Sequence, residues 1–313
     1  MNHLQPAMTS LLSPAETAAA LPWRALVAGI ARLLADKTAQ VPARLVQPLP
    51  GGGSLFVMPA LDSRVAITKL ITFTPANAGT GRPAIQGDVV VFDTATGERR
   101  LVLDGPTVTA RRTAAVSALA AQWLATDRAG PLLVVGAGVQ GRAHMEAFAE
   151  VLGVREVHIA SRSEASAQAL ARHARESGLT AHVTGDADAA LAHCPLAVTC
   201  TPASQIVLGA FPREDGFVSA VGAFNPTMAE LSPRLCRHFA ELGSVVVDTA
   251  DAVHEAGDLI QAGLQVTEFA TLADVVCGRI TAPQGQVLFK SCGWAGWDLA
   301  AARVALDSIG RAL

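Results

Sequence analysis

The sequence predicts an α/β protein in which a doubly wound parallel sheet is joined to a smaller α+β region. From residue 131 onward, short and wholly apolar runs alternate with helical segments, which is typical of strands buried in a parallel sheet. Between residues 41 and 104, apolar runs are separated by Gly, Pro or Asp, as in antiparallel hairpins. Half of the 313 residues are hydrophobic and 16% are charged, so the chain can bury a substantial core.

The amino-terminal region opens with a helix signal and continues with strands. Ser13-Pro14-Ala15-Glu16 is a capping box with proline at the first helical position, so we expect a helix from there to about Leu34. The strands expected next are Ser54–Met58, Val65–Phe73, Gln86–Asp93 and Glu98–Leu103. Apolar residues at helical spacing then predict a long helix over Thr109–Leu124.

The carboxyl-terminal region predicts an alternating series of strands and helices. The expected strands are Leu132–Val135, Val157–Ala160, Ala181–Thr184, Leu196–Cys200, Phe217–Val221 and Ser244–Val247. The helices expected between the first four strands are Gly138–Leu152, Ala165–Ser177 and Ala187–Ala192. The tail, Trp297–Leu313, is predicted to be an amphipathic helix that caps either domain.

Charge and composition exclude several classes of protein. The formal net charge of −3 gives no footprint for nucleic acid, and no apolar run approaches the roughly 20 residues of a membrane-spanning helix. Because Met1-Asn2-His3-Leu4 does not resemble a secretory signal, we expect a cytoplasmic protein. The five cysteines form no CxxC pair, so we expect reduced thiols and no metal site. The chain has no tyrosine, which excludes a tyrosine general acid.

A glycine-rich loop lies between the first apolar strand and the helix that follows it. Gly136-Ala137-Gly138-Val139-Gln140-Gly141 has the GxGxxG spacing in the context that this motif requires. Gly136 permits a tight turn, Gly138 lets a pyrophosphate approach the backbone, and Gly141 lets helix and strand pack closely. The loop therefore predicts a Rossmann-like dinucleotide-binding domain in which Val139 and Gln140 also contact the cofactor. The alternative is a purely structural glycine turn.

The residues after the second strand of this domain indicate which dinucleotide binds. Ser161 and Arg162 occupy the place where an NAD-specific domain has an acidic residue for the ribose 2′-hydroxyl. A hydroxyl and a guanidinium there favour a 2′-phosphate instead. We therefore expect NADPH to be preferred over NADH. The alternative is that Arg162 is merely solvated.

Three cations in the amino-terminal region are candidates for binding a substrate carboxylate. Arg44, Lys69 and Arg112 lie in three separate elements, and the first two are each next to an apolar residue. Taken singly, each is a candidate surface charge, because basic side chains are mostly exposed. They form a site only if the fold brings them together.

Several motifs make the chain similar to one known family. Thr109-Ala110-Arg111-Arg112-Thr113-Ala114-Ala115, the segment that begins Val134-Val135-Gly136, and His254-Glu255-Ala256-Gly257-Asp258 resemble the ornithine cyclodeaminase/μ-crystallin family. The resemblance implies a homodimer with an α+β substrate and dimerisation domain, residues 1–127 with 295–313, and a dinucleotide-binding domain, residues 128–294. It also implies a set of site residues. Those toward the cofactor would be Arg112, Thr201, Val221 and Ser291, and those toward the substrate Arg44, Lys69, Arg112, Phe224 and Cys292.

One departure from the family pattern bears on the substrate. Where cyclodeaminases carry an aspartate that handles the substrate amine, this chain has Phe224, and Met228 stands at the position of a lysine. Loss of that carboxylate makes ornithine cyclisation difficult, and the variant resembles the ketimine reductase branch. We therefore expect reduction of Δ1-pyrroline-2-carboxylate or Δ1-piperideine-2-carboxylate, with Lys69 either binding the carboxylate or donating a proton. The alternatives are a cyclodeaminase or alanine-dehydrogenase-like activity, and an NADPH-binding protein without turnover.

Overall fold

A computed structural model describes residues 10–77, 80–202 and 205–310 of the chain. The protein divides into two compact units, Met1–Arg112 with Trp294–Leu313 and Thr113–Gly293, as far as these ranges are described. The division falls inside one long helix, α3 (Gly105–Leu124). Residues 1–4, which were considered as a possible secretory signal, lie outside the described residues. The last three residues of the expected tail helix, 311–313, also lie outside them.

The first unit is built around an antiparallel sheet. Its strands are β1 (Ser10–Leu11), β2 (Leu45–Leu49), β3 (Gly53–Leu61), β4 (Val65–Phe73), β5 (Ile85–Asp93) and β6 (Arg99–Asp104). Its other elements are α1 (Pro14–Ala19), α2 (Trp23–Leu34), a 3-10 turn at Pro75–Asn77 and α10 (Ala295–Gly310). The described strands are ordered β1-β6-β5-β4-β3-β2, and all neighbours are antiparallel except β1, which runs parallel to β6.

The two faces of this sheet differ in what covers them. On one face, Ile67 and Ile71 of β4 and Val89 of β5 are buried, and α10 packs against β3, β4 and β5. Lys69 points to the same face, because alternate residues of a strand share a side. On the opposite face, four large apolar side chains from four different strands are exposed. These are Leu11, Leu45, Leu70 and Phe92.

Two helices of the first unit differ from the sequence prediction. The expected single helix up to Leu34 is wrong, because Pro22 interrupts it and becomes the residue before α2. The carbonyl of Leu21 in this break accepts a hydrogen bond from Arg111 Nε at 2.9 Å. Helix α3 starts at Gly105, earlier than expected, because the Asp104 carboxylate accepts the Thr107 amide at 2.8 Å and caps the first turn.

The second unit is built around a parallel sheet. Its strands are β7 (Leu132–Val135), β8 (Glu156–Ala160), β9 (Thr180–Thr184), β10 (Leu196–Thr199), β11 (Phe217–Ala220), β12 (Ser244–Val247), β13 (Ala270–Thr271) and β14 (Val287–Lys290). Its helices are α4 (Val139–Leu152), α5 (Glu164–Glu176), α6 (Ala187–Leu191), α7 (Pro233–Leu242), α8 (Gly257–Gln261) and α9 (Leu272–Val276), with 3-10 turns at Ala250–His254 and Val266–Glu268.

Strand order in this unit is that of a doubly wound sheet. The described strands run β13-β12-β14-β11-β10-β7-β8-β9, and every pair is parallel. From β7 the chain winds outward through β8 and β9, then returns to β10 on the other side. The switch point therefore lies between β7 and β10, where ligands bind at the carboxyl ends of strands in such folds. The predicted α/β fold class is confirmed.

None of the helices in the described part of the chain has the length and apolar character needed to span a bilayer.

Candidate active site

The glycine-rich loop connects β7 to α4 at the switch point. Gly136 has φ +114°, and a Cβ there would lie 2.7 Å from the carbonyl oxygen of Cys200. A Cβ on Gly141 would collide with the Gly136 carbonyl oxygen, so α4 packs directly on the loop. A Cβ on Gly138 would meet no atom within 4 Å. The tight turn, the close helix packing and the open space at the middle glycine are the features that a pyrophosphate site needs.

The start of α4 fits a dinucleotide phosphate. Gly138 is the residue before the helix and has no capping side chain, so the first amides keep their outward orientation without a side-chain acceptor. Val139 is 72% exposed at this end. The Oε1 atom of Gln140 is buried and has no hydrogen-bond partner among the described residues. Donor amides, a positive helix end and an unpaired acceptor together suit a cofactor with phosphates and polar rings.

Ser161 and Arg162 follow β8 directly. The Ser161 hydroxyl accepts a hydrogen bond from the Ser163 amide at 3.3 Å, and Arg162 is exposed. Within the described ranges Arg162 forms no ion pair. Both side chains therefore stand at the end of the second strand, which is the position from which the sequence argument for NADPH starts.

The carboxyl ends of β10 and β11 are tied together by one buried carboxylate. Glu230 Oε1 accepts hydrogen bonds from the amide and the hydroxyl of Thr201, at 2.6 and 2.9 Å. Glu230 Oε2 accepts from the Gly222 amide at 2.6 Å and the Thr199 hydroxyl at 2.9 Å. Burial raises the pKa of Glu230, and the charge of Lys290 opposes the rise. The carboxylate therefore fixes Thr201 and the turn that begins at Val221.

A buried ion pair also contacts the turn that begins at Val221. Lys290 Nζ lies 2.7 Å from Asp258 Oδ2, and both side chains are fully buried. The lysine also donates to the carbonyl of Ala223 at 2.6 Å, next to the half-buried Phe224. Burial acts to lower the pKa of Lys290, but Asp258, Cys292 and Glu230 together outweigh it and the net pKa is raised. Asp258 Oδ1 in turn accepts the Glu230 amide at 2.6 Å, so the charges form one network.

A second carboxylate holds the turn that follows β14. Asp248 Oδ2 accepts the Ser291 hydroxyl at 2.9 Å and the amides of Cys292 and Gly293 at 2.8 Å. Burial raises the pKa of Asp248, and these hydrogen bonds oppose the rise. Burial also raises the pKa of the Cys292 thiol well above its usual range, with the Lys290 charge opposing it, so this thiol is protonated at neutral pH.

In the first unit, the structure brings the three predicted cations into one electrostatic group. Lys69 Nζ lies 2.8 Å from Asp298 Oδ2, and Arg112 Nε lies 3.3 Å from Asp298 Oδ1. The side chains of Lys69, Arg112 and Asp298 are 1%, 8% and 0% exposed. Arg44, half-buried just before β2, lies with its guanidinium carbon 5.9 Å from the centroid of the Phe56 ring.

Burial, together with the neighbouring charges, lowers the basicity of the lysine in this group. Burial lowers the pKa of Lys69 to about 8, with Arg112 and Arg44 acting in the same direction and Asp298 opposing them. Two buried cations share one carboxylate, so an anion is attracted to the group. Pairing of Arg112 through Nε is compatible with a second carboxylate on its terminal nitrogens.

The roles assigned from the sequence to Arg44, Lys69 and Arg112 stay predictions, but the three residues do lie in one region of the first unit. Phe224 and Cys292 lie in the second unit with the glycine loop, Thr201, Val221 and Ser291. Sequence reasoning missed Asp298. A charged residue between Trp297 and Leu299 on a buried, alanine-rich helix was the available signal, since such a charge needs a partner.

Comparison with known proteins places the chain in one family. Residues 18–312 match the Ornithine cyclodeaminase/mu-crystallin family. Delta(1)-pyrroline-2-carboxylate reductase 1 of Burkholderia multivorans is 42% identical over 308 residues, covering 96% of each chain. Delta(1)-pyrroline-2-carboxylate/Delta(1)-piperideine-2-carboxylate reductase of Azospirillum brasilense is 40% identical over 301 residues, covering 94% of each.

A solved structure shows the same fold. Delta(1)-pyrroline-2-carboxylate reductase of Thermococcus litoralis, in complex with NADH and L-proline, superposes with a TM-score of 0.88. It is 24% identical, and the match covers 96% of this chain and 98% of that one. The family predicted from the sequence motifs is confirmed: the chain belongs to the ornithine cyclodeaminase/mu-crystallin family.

Proposed function

We propose that this protein uses NADPH to reduce a small cyclic imino acid, Δ1-pyrroline-2-carboxylate or Δ1-piperideine-2-carboxylate, to L-proline or L-pipecolate. The observation that carries the proposal is the buried group in which Lys69 and Arg112 share Asp298. Its excess positive charge suits one further carboxylate, which a cyclic imino acid has. The curated relatives support the predicted class of enzyme, an oxidoreductase acting on a C=N bond.

The proposed reaction adds a hydride to C2 of the ring and a proton to the ring nitrogen. When bound, the nicotinamide supplies the hydride. Arg44 and Arg112 hold the substrate carboxylate by charge-assisted hydrogen bonds, which restricts the orientation of C2. Lys69 either completes this clamp or donates the proton, and a pKa of about 8 suits a proton donor near neutral pH.

The residues of the second unit have two proposed roles. Gly136, Gly138 and the first turn of α4 would hold the pyrophosphate, and Arg162 would pair with a 2′-phosphate, which is the basis for preferring NADPH. Thr201, Val221 and Ser291 would lie toward the nicotinamide, and Phe224 and Cys292 toward the substrate. Substrate binding and dimerisation are assigned to residues 1–127 with 295–313, and cofactor binding to residues 128–294.

We also propose a homodimer formed through the outward face of the six-stranded sheet. Leu11, Leu45, Leu70 and Phe92 are 73%, 56%, 45% and 36% exposed on that face. They lie on four strands of the sheet and share the face opposite to Lys69, so this face carries several exposed apolar side chains. An exposed apolar surface of this kind is typical of a contact with another protein chain.

The first experiment compares reduction with deamination. NADPH consumption is followed with each of the two cyclic imino acids, then repeated with NADH, and ammonia release is measured with L-ornithine and NAD. We expect fast NADPH oxidation with at least one imino acid and no ammonia. Ammonia and proline from ornithine would contradict the proposal, and NADPH binding without turnover on either imine would favour the alternative of a binding protein.

The cofactor preference is tested separately with Arg162→Ala. A charge-assisted hydrogen bond contributes about 1.5–3 kcal/mol, so the ratio of kcat/KM for NADPH to that for NADH should fall by about 10-fold or more. Arg172→Ala, an exposed arginine on α5, is the matched control and should leave this ratio unchanged. Equal ratios in the wild type and Arg162→Ala would remove the argument for NADPH while leaving imine reduction intact.

A further inference from the structure

A carboxylate and two imidazoles lie side by side near one edge of the parallel sheet, and the proposed reduction uses none of them. The parallel register of β8 and the edge strand β9 sets His158 opposite His182. Glu156 is two residues before His158 and therefore shares its face of the sheet. Within the described residues, the ligand atoms of these three side chains all lie within 4.8 Å of one another.

The separations are those of atoms that can share one metal ion. His158 Nε2 lies 2.9 Å from Glu156 Oε1, and His182 Nε2 lies 3.6 Å from the same oxygen. Two ligands bound tetrahedrally to zinc, each at about 2.0–2.1 Å, are about 3.4 Å apart. The two measured distances bracket this value. Hydrogen-bonded strands carry all three side chains, so convergence on an ion needs only side-chain rotation.

The donor set indicates which metals fit. Imidazole nitrogens with one carboxylate suit zinc, nickel and copper, whereas magnesium and calcium prefer oxygen ligands alone. The side chains of Glu156, His158 and His182 are 41%, 22% and 52% exposed, so water can reach the remaining coordination position. We propose that Glu156, His158 and His182 form a surface site for a divalent transition metal ion of the zinc type.

The sequence predicted no metal site because the two histidines are far apart along the chain and only sheet register joins them. The protein contains a built-in comparison. His173 Nε2 lies 2.9 Å from Glu146 Oε1, with similar exposure, but over the described part of the chain this pair between α4 and α5 is not part of a three-ligand group. Substitution of His173 therefore distinguishes chelation by three ligands from metal binding at any exposed histidine beside a glutamate.

The test is calorimetric titration of the full chain, freed of metal by a chelator, with zinc chloride and with nickel chloride. We expect one saturable site in the wild type. Its affinity should fall at least about tenfold in both His158→Ala and His182→Ala, because loss of even an outer-shell partner of a metal ligand lowers metal affinity by about that factor. His173→Ala should bind as the wild type does. Thermal unfolding without metal verifies that each variant is folded.

Three results would overturn the proposal. One is the absence of saturable binding by the wild type. Another is an affinity for zinc and nickel that neither histidine substitution at the site changes. The third is an equal loss of affinity in His173→Ala, which would show adventitious binding at exposed histidines. Because no arm measures reduction of an imine, failure here leaves the proposed activity untouched.

Discussion

Replacing Asp298 with asparagine removes the single negative charge that Lys69 and Arg112 share among the described residues. The substitution keeps the size of the side chain and one acceptor oxygen, so the packing of α10 changes little. In the wild type, Asp298 raises the pKa of Lys69 against the effects of burial, Arg112 and Arg44, and the result is a pKa of about 8. Without the carboxylate, the pKa of Lys69 must fall.

The size of the effect follows from the distance. An opposite charge within hydrogen-bond distance shifts a pKa by about 1–3 units, and Lys69 Nζ lies 2.8 Å from Asp298 Oδ2. Since one unit is about 1.4 kcal/mol, the carboxylate favours the charged lysine by about 1.4–4 kcal/mol. In Asp298→Asn, Lys69 therefore loses its proton nearer to neutral pH.

The assay is the pH profile of kcat/KM for imine reduction, between about pH 4 and 10. If protonated Lys69 takes part, the alkaline limb of Asp298→Asn should move down by about 1–3 units relative to the wild type. The matched control is Asp307→Asn, an acid 41% exposed on the same helix that pairs with Arg64. Superimposable profiles for Asp298→Asn and the wild type would refute the reasoning, because a purely structural loss lowers the curve without moving its limb.

Three further predictions concern stability and assembly. Lys69 has a folded pKa of about 8 against 10.5, so its burial costs stability below pH 8 and the cost disappears by about pH 10.5. The stability of Lys69→Met relative to the wild type, from urea unfolding, should therefore fall by about 3 kcal/mol over that interval; a constant difference would contradict the lowered pKa. Glu230→Gln should lower the free energy of unfolding by about 1–3 kcal/mol, because the amide cannot accept all four hydrogen bonds, whereas exposed Glu241→Gln should not. Leu70→Glu should yield monomers by light scattering if the outward sheet face forms the dimer, and unchanged dimers would exclude that face.

The predictable parts of the fold have local signals. Strand β7 consists of four consecutive apolar residues, and the next residue is a glycine whose positive φ forms the turn. The apolar run and the glycine both lie within ten residues of the sequence, so a short window identifies them. The capping box at Ser13 also formed as expected, with both hydrogen bonds present. The predicted extent of the helix that follows Ser13 was wrong, because Pro22 interrupts the backbone hydrogen bonding of a helix.

The parts that the sequence did not predict depend on partners distant in the chain. Asp298 forms its ion pair with Lys69 only because α10 packs on β4, and no sequence spacing relates these two residues. Lys290 and Asp258 are likewise joined by the fold alone. Periodicity identifies which residues are buried, but it does not identify which buried charges meet. The three cations were predicted because their residue types suit a carboxylate ligand, whereas Asp298, the counter-ion that Lys69 and Arg112 share, was not predicted.

The first unit is assembled from two separate stretches of chain, with the whole second unit between them. During synthesis, β4 leaves the ribosome long before α10 does. Until α10 is made, the apolar face of the sheet is not covered by this helix, and Lys69 is without the Asp298 carboxylate. The second unit is one continuous stretch of chain, Thr113–Gly293, and continuous domains generally fold as units. The group formed by Lys69, Arg112 and Asp298 is therefore completed late in synthesis, and truncation before Asp298 would remove its carboxylate while leaving the residues of the glycine loop in the chain.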